Sequence, residues 1–419
     1  MTVPIRCLVI DPESSGLDLV RALRERGVDV RTYRQERPLV VTGEHTAERP
    51  EVALIRAGEL HRPDHVLAGS ESSVSAAEWL ADHLGVPGSP LSSAFARRNK
   101  DGMMQRVRRA GLAHVRSIEV GSVDELRGRH SDVRFPAFVK PAASAGSDRC
   151  RAVASWTELE GAVAAVLTSD PLMGVGNEAA VVQDFIDGPQ YFVNAVTVAG
   201  EHLVTDVFDY RLRVVDGAPQ LYAGRSYDLR DPEVAEIVDY VLRCLDALDV
   251  QEGASHTEIR VGDRGPVLIE LNARLMGPMQ PSEVYVAAQG FSQAMVWAAA
   301  VTGGMDDARR LVEDREHQAR IGWFLLTPSR PGVLRHVDHG LIESVPAFAG
   351  SHGVPCPGTP VDTENRVTTA DLGIVYLVHH DPHRIDAGLE VLTRHEADDA
   401  LVKIDPCASG TSRDNLQGC

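Results

Sequence analysis

Two short runs of strand-forming residues, His256-Thr257-Glu258-Ile259-Arg260-Val261 and Pro266-Val267-Leu268-Ile269-Glu270-Leu271, flank the turn signal Gly262-Asp263-Arg264-Gly265. If the runs pair as a hairpin closed by that turn, position 258 falls opposite 270 and position 256 opposite 272. Facing residues of an antiparallel pair have Cβ atoms about 4.5–5.5 Å apart, so two carboxylates there repel unless a cation lies between them. Oxygen donors alone, from Glu258, Glu270 and the amide of Asn272, suit Mg²⁺ or Mn²⁺, which complete their shells with water and phosphate oxygens. The competing arrangement is a solvated hairpin whose acids pair with Arg260 and Arg264. A one-residue slip in register would also separate the two acids.

The 419 residues, 43% of them apolar, are enough for two or three domains with proper cores. No run of about 18 apolar residues is present, and the opening Met-Thr-Val-Pro-Ile-Arg lacks the charged, apolar, small-residue order of a signal peptide. A cytoplasmic protein without membrane contact is expected. Six cysteines (Cys7, Cys150, Cys244, Cys356, Cys407, Cys419) are scattered without a Cys-x-x-Cys pair, which argues against a disulfide framework and a zinc site. A formal charge of −18 disfavours nucleic acid and anionic membrane as partners. It leaves room for a nucleotide, which local lysines, backbone N–H groups and a metal hold. Nothing in the sequence fixes the oligomeric state, and a homodimer is compatible with it.

The fold class expected is a multidomain mixture of α/β and α+β. In the first part, residues 1–112, strand and helix signals alternate. Strands at Cys7–Ile10, Val28–Tyr33, Val52–Ile55 and His65–Ala68 and helices at Leu17–Arg26 and over 74–84 predict a Rossmann-like layer with a parallel sheet. The loop after the last strand, with Glu71 and Ser72, is then placed where such sheets bind ligands. A basic helix from Arg97 to Gly111 carries Lys100. Residues 113–186 hold a strand at Ala113–Ile118, a strand ending in Lys140, the small-residue loop 141–147 and a returning strand, the pattern of a β-loop-β flap. A Walker-type phosphate loop opens into a helix and ends Gly-Lys-Ser/Thr, which this loop does not.

Residues 187–318 contain strands at Tyr191–Val198 and Leu203–Asp209, a connection over 207–226 that closes over substrate, a core helix starting at Asp231-Pro232, the acid-bearing hairpin and an Ala-rich helix ending near Thr302. Arg211, Arg213 and Arg225 in that connection are read as solvated surface groups, or else as holders of a carboxylate. Residues 319–406 form a small α+β unit, and 407–419 a polar tail.

Three elements point to a nucleotide. Lys140 ends a strand beside a loop whose N–H groups and Ser144 and Ser147 hydroxyls suit phosphate oxygens, and Lys100 adds a second positive charge. The run Gln183-Asp184-Phe185-Ile186 offers backbone groups and an amide to a planar base, and Gln190 offers a polar group to a sugar.

In their order along nearly the whole chain, these segments resemble the ATP-grasp superfamily. The resemblance rests on Arg97-Arg98-Asn99-Lys100, Phe138-Val139-Lys140-Pro141 with Ser144-Ala145-Gly146-Ser147, Gln183-Asp184-Phe185-Ile186-Asp187-Gly188, His256-Thr257-Glu258 and Ile269-Glu270-Leu271-Asn272-Ala273-Arg274. It implies ATP between two α/β subdomains, with Lys100 and Lys140 on the phosphates and Ser144, Gly146, Ser147, Gln183, Asp184, Phe185, Ile186 and Gln190 around the nucleotide. It further implies Glu258, Glu270 and Asn272 on magnesium, and Arg274 on the transferring phosphate or acyl intermediate.

Asn272-Ala273-Arg274-Leu275 and Arg330-Pro331-Gly332-Val333-Leu334 resemble the L-amino-acid ligase branch, which implies amide formation between a small-molecule carboxylate and an amine. Glu71, Ser72, His256, Arg274 and Gly277 are its candidate substrate contacts, with Arg274 and Lys140 as catalytic groups. Gln190 and Gln183 replace acids common at those places, and Met276 interrupts a turn usually built of small residues. The alternative for Arg274 is an ion pair with a metal-site Glu. Other functions compatible with the sequence are a bicarbonate- or D-amino-acid-activating ligase and a noncatalytic nucleotide-binding module. The run His379-His380-Asp381-Pro382-His383 is read as a polar turn rather than a metal site.

Overall fold

The computed structural model describes residues 3–39, 49–142, 149–169, 179–215, 218–277, 281–313, 319–361 and 372–406. The tail 407–419 and the flap residues Ser144, Gly146 and Ser147 lie outside them.

The N-terminal sheet is parallel, as expected, with Arg6–Ile10 between Asp29–Tyr33 and His65–Ala68. The central strand is buried on both faces, which its run Cys7-Leu8-Val9-Ile10 permits. Val52–Ile55 is not the strand its β-branched ends suggest. It opens the helix Val52–His61, in which Leu54, Gly58 and His61 form the buried stripe at helical spacing. Gly58 lets that helix lie on the next one: a Cβ there would stand 3.1 Å from the Leu80 methyls. The helix Val74–Leu84 ends, as its sequence indicates, at Gly85 in the left-handed conformation.

The stretch Arg97 to Gly111 is two helices rather than one. Asn99 is extended (φ −94°, ψ 124°) and divides Ala94–Arg98 from Lys100–Arg109. Its side chain accepts from the Gly102 N–H at 2.8 Å, which makes it the N-cap of the second helix. Lys100 thereby starts a helix, and its own N–H donates to the Ala142 carbonyl at 3.1 Å, at the mouth of the flap.

A four-stranded antiparallel sheet follows, in the order Ser117–Val120, Ala180–Asp184, Ala137–Pro141, Arg151–Val153. The first strand begins later than the expected Ala113. The helix Trp156–Leu167, capped by Ser155, covers one face through Leu159, Val163 and Val166, packed on Ala137, Val139 and Val182. Side chains one place along, Lys140, Val181 and Gln183, therefore face the other way.

The largest sheet has eight strands in the order Gly265–Asn272, Gly253–Gly262, Gln190–Val198, Glu201–Val215, Ala218–Arg225, Arg320–Leu325, Ile374–His379, Phe348–His352. The connection over 207–226 is thus a long hairpin and not a loop above the substrate. Its arginines are neither solvated nor free. Arg211 pairs with Asp209 and Asp386, Arg213 with Glu396, and Arg225 with Asp386. They tie the hairpin to the helix Pro382–Ala397. Of the strands in the 319–406 segment, Arg320–Leu325, Ile374–His379 and Phe348–His352 continue this same sheet, whereas Gly332–Val337 pairs with Pro360–Val361 and Val402–Asp405 in a separate three-stranded sheet.

Helix Pro232–Ala247 covers one face, burying Val234, Ile237, Val241 and Leu245 against Val193, Val207, Ile259 and Leu271. The site lies on the other face, part of which is covered by Val284, Tyr285 and Ala288 packed on Phe192 and Phe208. His379 ends the strand Ile374–His379, and His380-Asp381 turn the chain into the helix Pro382–Ala397, with Asp381 accepting from the His383 N–H at 3.0 Å. Among the described residues, no single helix is long and apolar enough to cross a membrane.

Candidate functional site

Glu258 lies opposite Glu270, and His256 opposite Asn272. From Gly262–Gly265 to Ile259–Leu268 the pairing follows a two-residue Asp263-Arg264 turn. Continued unchanged, it would set Ile269 against Glu258 and turn Glu270 to the far face. A bulge next to Glu258 absorbs one residue and returns both acids to one face. Gly188, from the adjoining segment, sits at φ +118°, and a Cβ there would come within 2.1 Å of the Val261 carbonyl. Only glycine lets that segment cross the hairpin so closely.

Alternation along the paired strands gathers more groups on this face. Gln190, Phe192 and Asn194 stand beside Arg260, Glu258 and His256, with Tyr210, Phe208 and Asp206 in the next row. Gln190 Nε2 donates to Glu258 Oε2 at 3.0 Å, and His256 Nε2 is 3.7 Å from Glu258 Oε1. Asn194 turns its amide N–H to Asp206, so its Oδ1 receives His256 Nδ1 at 2.9 Å. Burial pushes the Glu258 carboxyl upward, but the neighbouring His256 ring and the charges of Lys140 and Arg274 outweigh it and hold the group below the usual range. Burial, the two acids and a hydrogen bond to Glu258 keep the Tyr210 phenol protonated far above its ordinary range.

Both expected lysines reach the hairpin from outside it. Lys100 Nζ lies 2.7 Å from Glu270 Oε1, and the buried Lys140 Nζ donates to the Ile269 carbonyl at 3.2 Å. Burial, and then the charge of Lys100, bring Lys140 down to about 8. The competing picture of acids paired with Arg260 and Arg264 does not hold for Arg260. Its guanidinium goes to Gln190 Oε1 at 3.1 Å and the Ile186 carbonyl at 2.8 Å, lying over the Phe185 ring.

Arg274 pairs with neither hairpin acid. Its Nε donates to Glu71 Oε2 at 2.6 Å, and the other oxygen of Glu71 takes Arg98. The N-terminal layer thus supplies one carboxylate to two largely buried guanidiniums. Burial brings Arg98 down to about 10, Glu270 opposing the shift and Arg274 adding to it.

On the nucleotide side, Gln183 shares the Lys140 face of the small sheet and is buried with an Nε2 that has no hydrogen-bond partner. Asp184 lies 3.9 Å from Arg116, and the N–H groups of Asp184 and Phe185 already donate to the Arg116 and Pro136 carbonyls. Ser72 does not reach the site, because its hydroxyl bonds Ser70 and Asp11. Gly277 is near only through Arg274, whose Nη1 is 3.8 Å from a Cβ placed there.

Arg98, Asn194 and Tyr210 have no role assigned from sequence. Asn194 was readable at period two from Gln190 on one strand. Tyr210 needed the pairing of the next strand, and Arg98 needed the loop carrying Glu71.

Among the described residues, no three His, Cys, Asp or Glu side chains cluster to hold a metal by themselves. Two facing carboxylates and the Asn272 amide, on one face at positions 258, 270 and 272, fit a hard cation that draws its other ligands from water and phosphate.

Residues 133–282 match the ATP-grasp domain family. The chain is 28% identical over 274 residues to dapdiamide A synthase of Enterobacter agglomerans, covering 64% of each chain. It is 21% identical over 217 residues to the L-arginine-specific L-amino acid ligase of Bacillus subtilis, covering 51% of this chain and 52% of that protein. The chain therefore spans less than two thirds of the length of either relative. Its fold is similar to that of the crystal structure of an L-amino acid ligase from Bacillus licheniformis, with a TM-score of 0.75 at 17% identity over 97% of this chain and 100% of that one.

Proposed function

We propose that this chain, which carries an ATP-grasp domain, is an ATP-dependent ligase joining the carboxylate of one amino acid or amino-acid-like metabolite to the amine of another. The observation that carries the reading is the convergence of Glu258, Glu270, Asn272, Lys100 and Lys140 on one face, with Arg274 at its edge.

Lys140 and Lys100 bind the phosphates of ATP, and Gln183, with its unpartnered amide, faces the base. Glu258, Glu270 and Asn272 would hold Mg²⁺ or Mn²⁺, which would supply charge neutralisation for the transferring phosphoryl group. A carboxylate oxygen of the first substrate attacks the γ-phosphorus in line. The bond from that phosphorus to the β-phosphate oxygen breaks, and ADP and an acyl phosphate result. The amine of the second substrate attacks the acyl carbon, the carbon–oxygen bond to phosphate breaks, and the amine proton is lost as the amide forms. Arg274, permanently charged and fork-shaped, holds the phosphoryl oxygens and then the oxyanion of the tetrahedral intermediate. Glu71, whose carboxylate Arg274 shares with Arg98, orients that fork. The −18 charge fits small-molecule substrates rather than a polyanion.

The test is release of ADP and phosphate across a panel of amino acid pairs, with hydroxylamine present to trap an acyl phosphate as hydroxamate. Release that needs a carboxylate, with hydroxamate formed, supports the reading. ATP binding with no release for any pair supports the noncatalytic module instead.

A further inference from the structure

A cavity of about 290 Å³ lies between the N-terminal layer and the large sheet, reaching Gly253 at the start of the strand Gly253–Gly262 and Ala273 just past the strand Gly265–Asn272. Leu67 of the edge strand His65–Ala68, Ala77 of the helix Val74–Leu84, and Trp297 and Ala300 of the helix that starts at Gln293 and breaks at Gly303-Gly304 form its apolar walls. A concave, mostly apolar space of this size with a few polar groups is of the kind that takes a small ligand. None of Glu258, Glu270, Lys100 or Lys140 lines it.

The carboxylates among its polar groups have no cationic side chain beside them in the lining. Glu78 and Glu252 both line it, and no lysine or arginine does. Glu78 is about nine-tenths buried; its Oε1 takes Arg97 Nε at 2.7 Å, and its Oε2 has no hydrogen-bond partner. Glu252 accepts from the Ala199 N–H at 3.0 Å and has no cationic side chain within ion-pair distance among the described residues. Burial lowers the pKa of His65, the remaining ionisable group of the lining, and Asp64 opposes the shift. An apolar chamber with an unpartnered carboxylate oxygen and a second, unpaired acid selects a ligand that is apolar in its body and donates hydrogen bonds from a cationic end.

We propose that this cavity is a second binding site, distinct from the nucleotide and metal site, for a small primary amine with a compact apolar body. The site stands whether or not the ligase reading does.

The test is calorimetric titration with cyclohexylmethylamine, and with cyclohexylacetate as the same body of opposite charge. Trp297 fluorescence reports entry into the chamber. Saturable one-to-one binding of the amine is expected, with no saturable binding of the acid. Ala300→Leu, which fills the chamber, and Glu252→Gln, which removes its unpaired charge, should each weaken the amine by about tenfold or more. Glu252 is partly exposed, so its variant remains informative if the filled chamber does not fold. Absence of saturable amine binding, equal binding of amine and acid, or binding unchanged in folded Ala300→Leu or Glu252→Gln would each overturn the proposal.

Discussion

Lys100 and Glu270 form an ion pair of 2.7 Å at the centre of the site, the lysine coming from a helix start and the acid from the hairpin. Glu270→Gln removes one of two facing acids and leaves the Lys100 ammonium without its carboxylate. The expected result is loss of the magnesium-dependent part of ADP affinity in calorimetry. Urea unfolding should show apo stability lowered by about 1–3 kcal/mol for the stranded charge. Unchanged magnesium dependence would separate this acid from metal binding.

Arg274→Lys keeps a positive charge but loses the fork that spans two oxygens. Turnover should fall by about 10²–10³, the loss typical of one transition-state donor, while ADP affinity stays near that of the parent. Near-normal turnover in Arg274→Ala would remove the catalytic role.

Glu71→Gln leaves Arg98 and Arg274 facing each other without their shared carboxylate. Thermal unfolding should shift downward by the equivalent of about 1–3 kcal/mol. Sulfate should stabilise this variant more than the parent, because an anion between two guanidiniums replaces the lost group. Equal sulfate effects on both proteins would place the anion elsewhere.

The pH dependence follows from Lys140. Its folded value, about 8, lies below that of an unfolded lysine. The unfolded chain therefore binds more protons between about pH 8 and the usual lysine value, and apo stability should rise through that window. Below it, the cost of the buried ammonium is present in full. Phosphate favours the charged lysine, so ADP binding near pH 8 should take up protons, read as a dependence of the calorimetric heat on buffer ionisation enthalpy. No dependence on buffer would argue against phosphate contact by Lys140.

Much of the site was legible because strand alternation is strict. The turn Gly262-Asp263-Arg264-Gly265 and the carboxylates on either side of it predicted the facing pair. The pairing was reached by a different route, since the turn is one residue tighter than that register needs and a bulge makes up the difference. The sequence has no local signal for such a bulge, which depends on neighbouring strands and on the close crossing of Gly188. Val52–Ile55 misled because its strand propensity is local, whereas its helix is set by Leu54, Gly58 and His61 packing as one stripe. The partners of Arg211, Arg213, Arg225 and Arg274 were hidden for another reason. Apart from Asp209, two residues from Arg211, each lies far along the chain, and ion pairs of that kind follow from tertiary placement alone.

The central claim is that Glu258 and Glu270 share a divalent cation that meets a nucleotide. Crystals grown with ADP and Mn²⁺ and measured for anomalous scattering test it directly. A manganese peak between the two carboxylates, about 2.0–2.3 Å from an oxygen of each and in contact with a phosphate oxygen, is the predicted result. Bound ADP with no anomalous peak there, or with the two side chains turned apart, would contradict it.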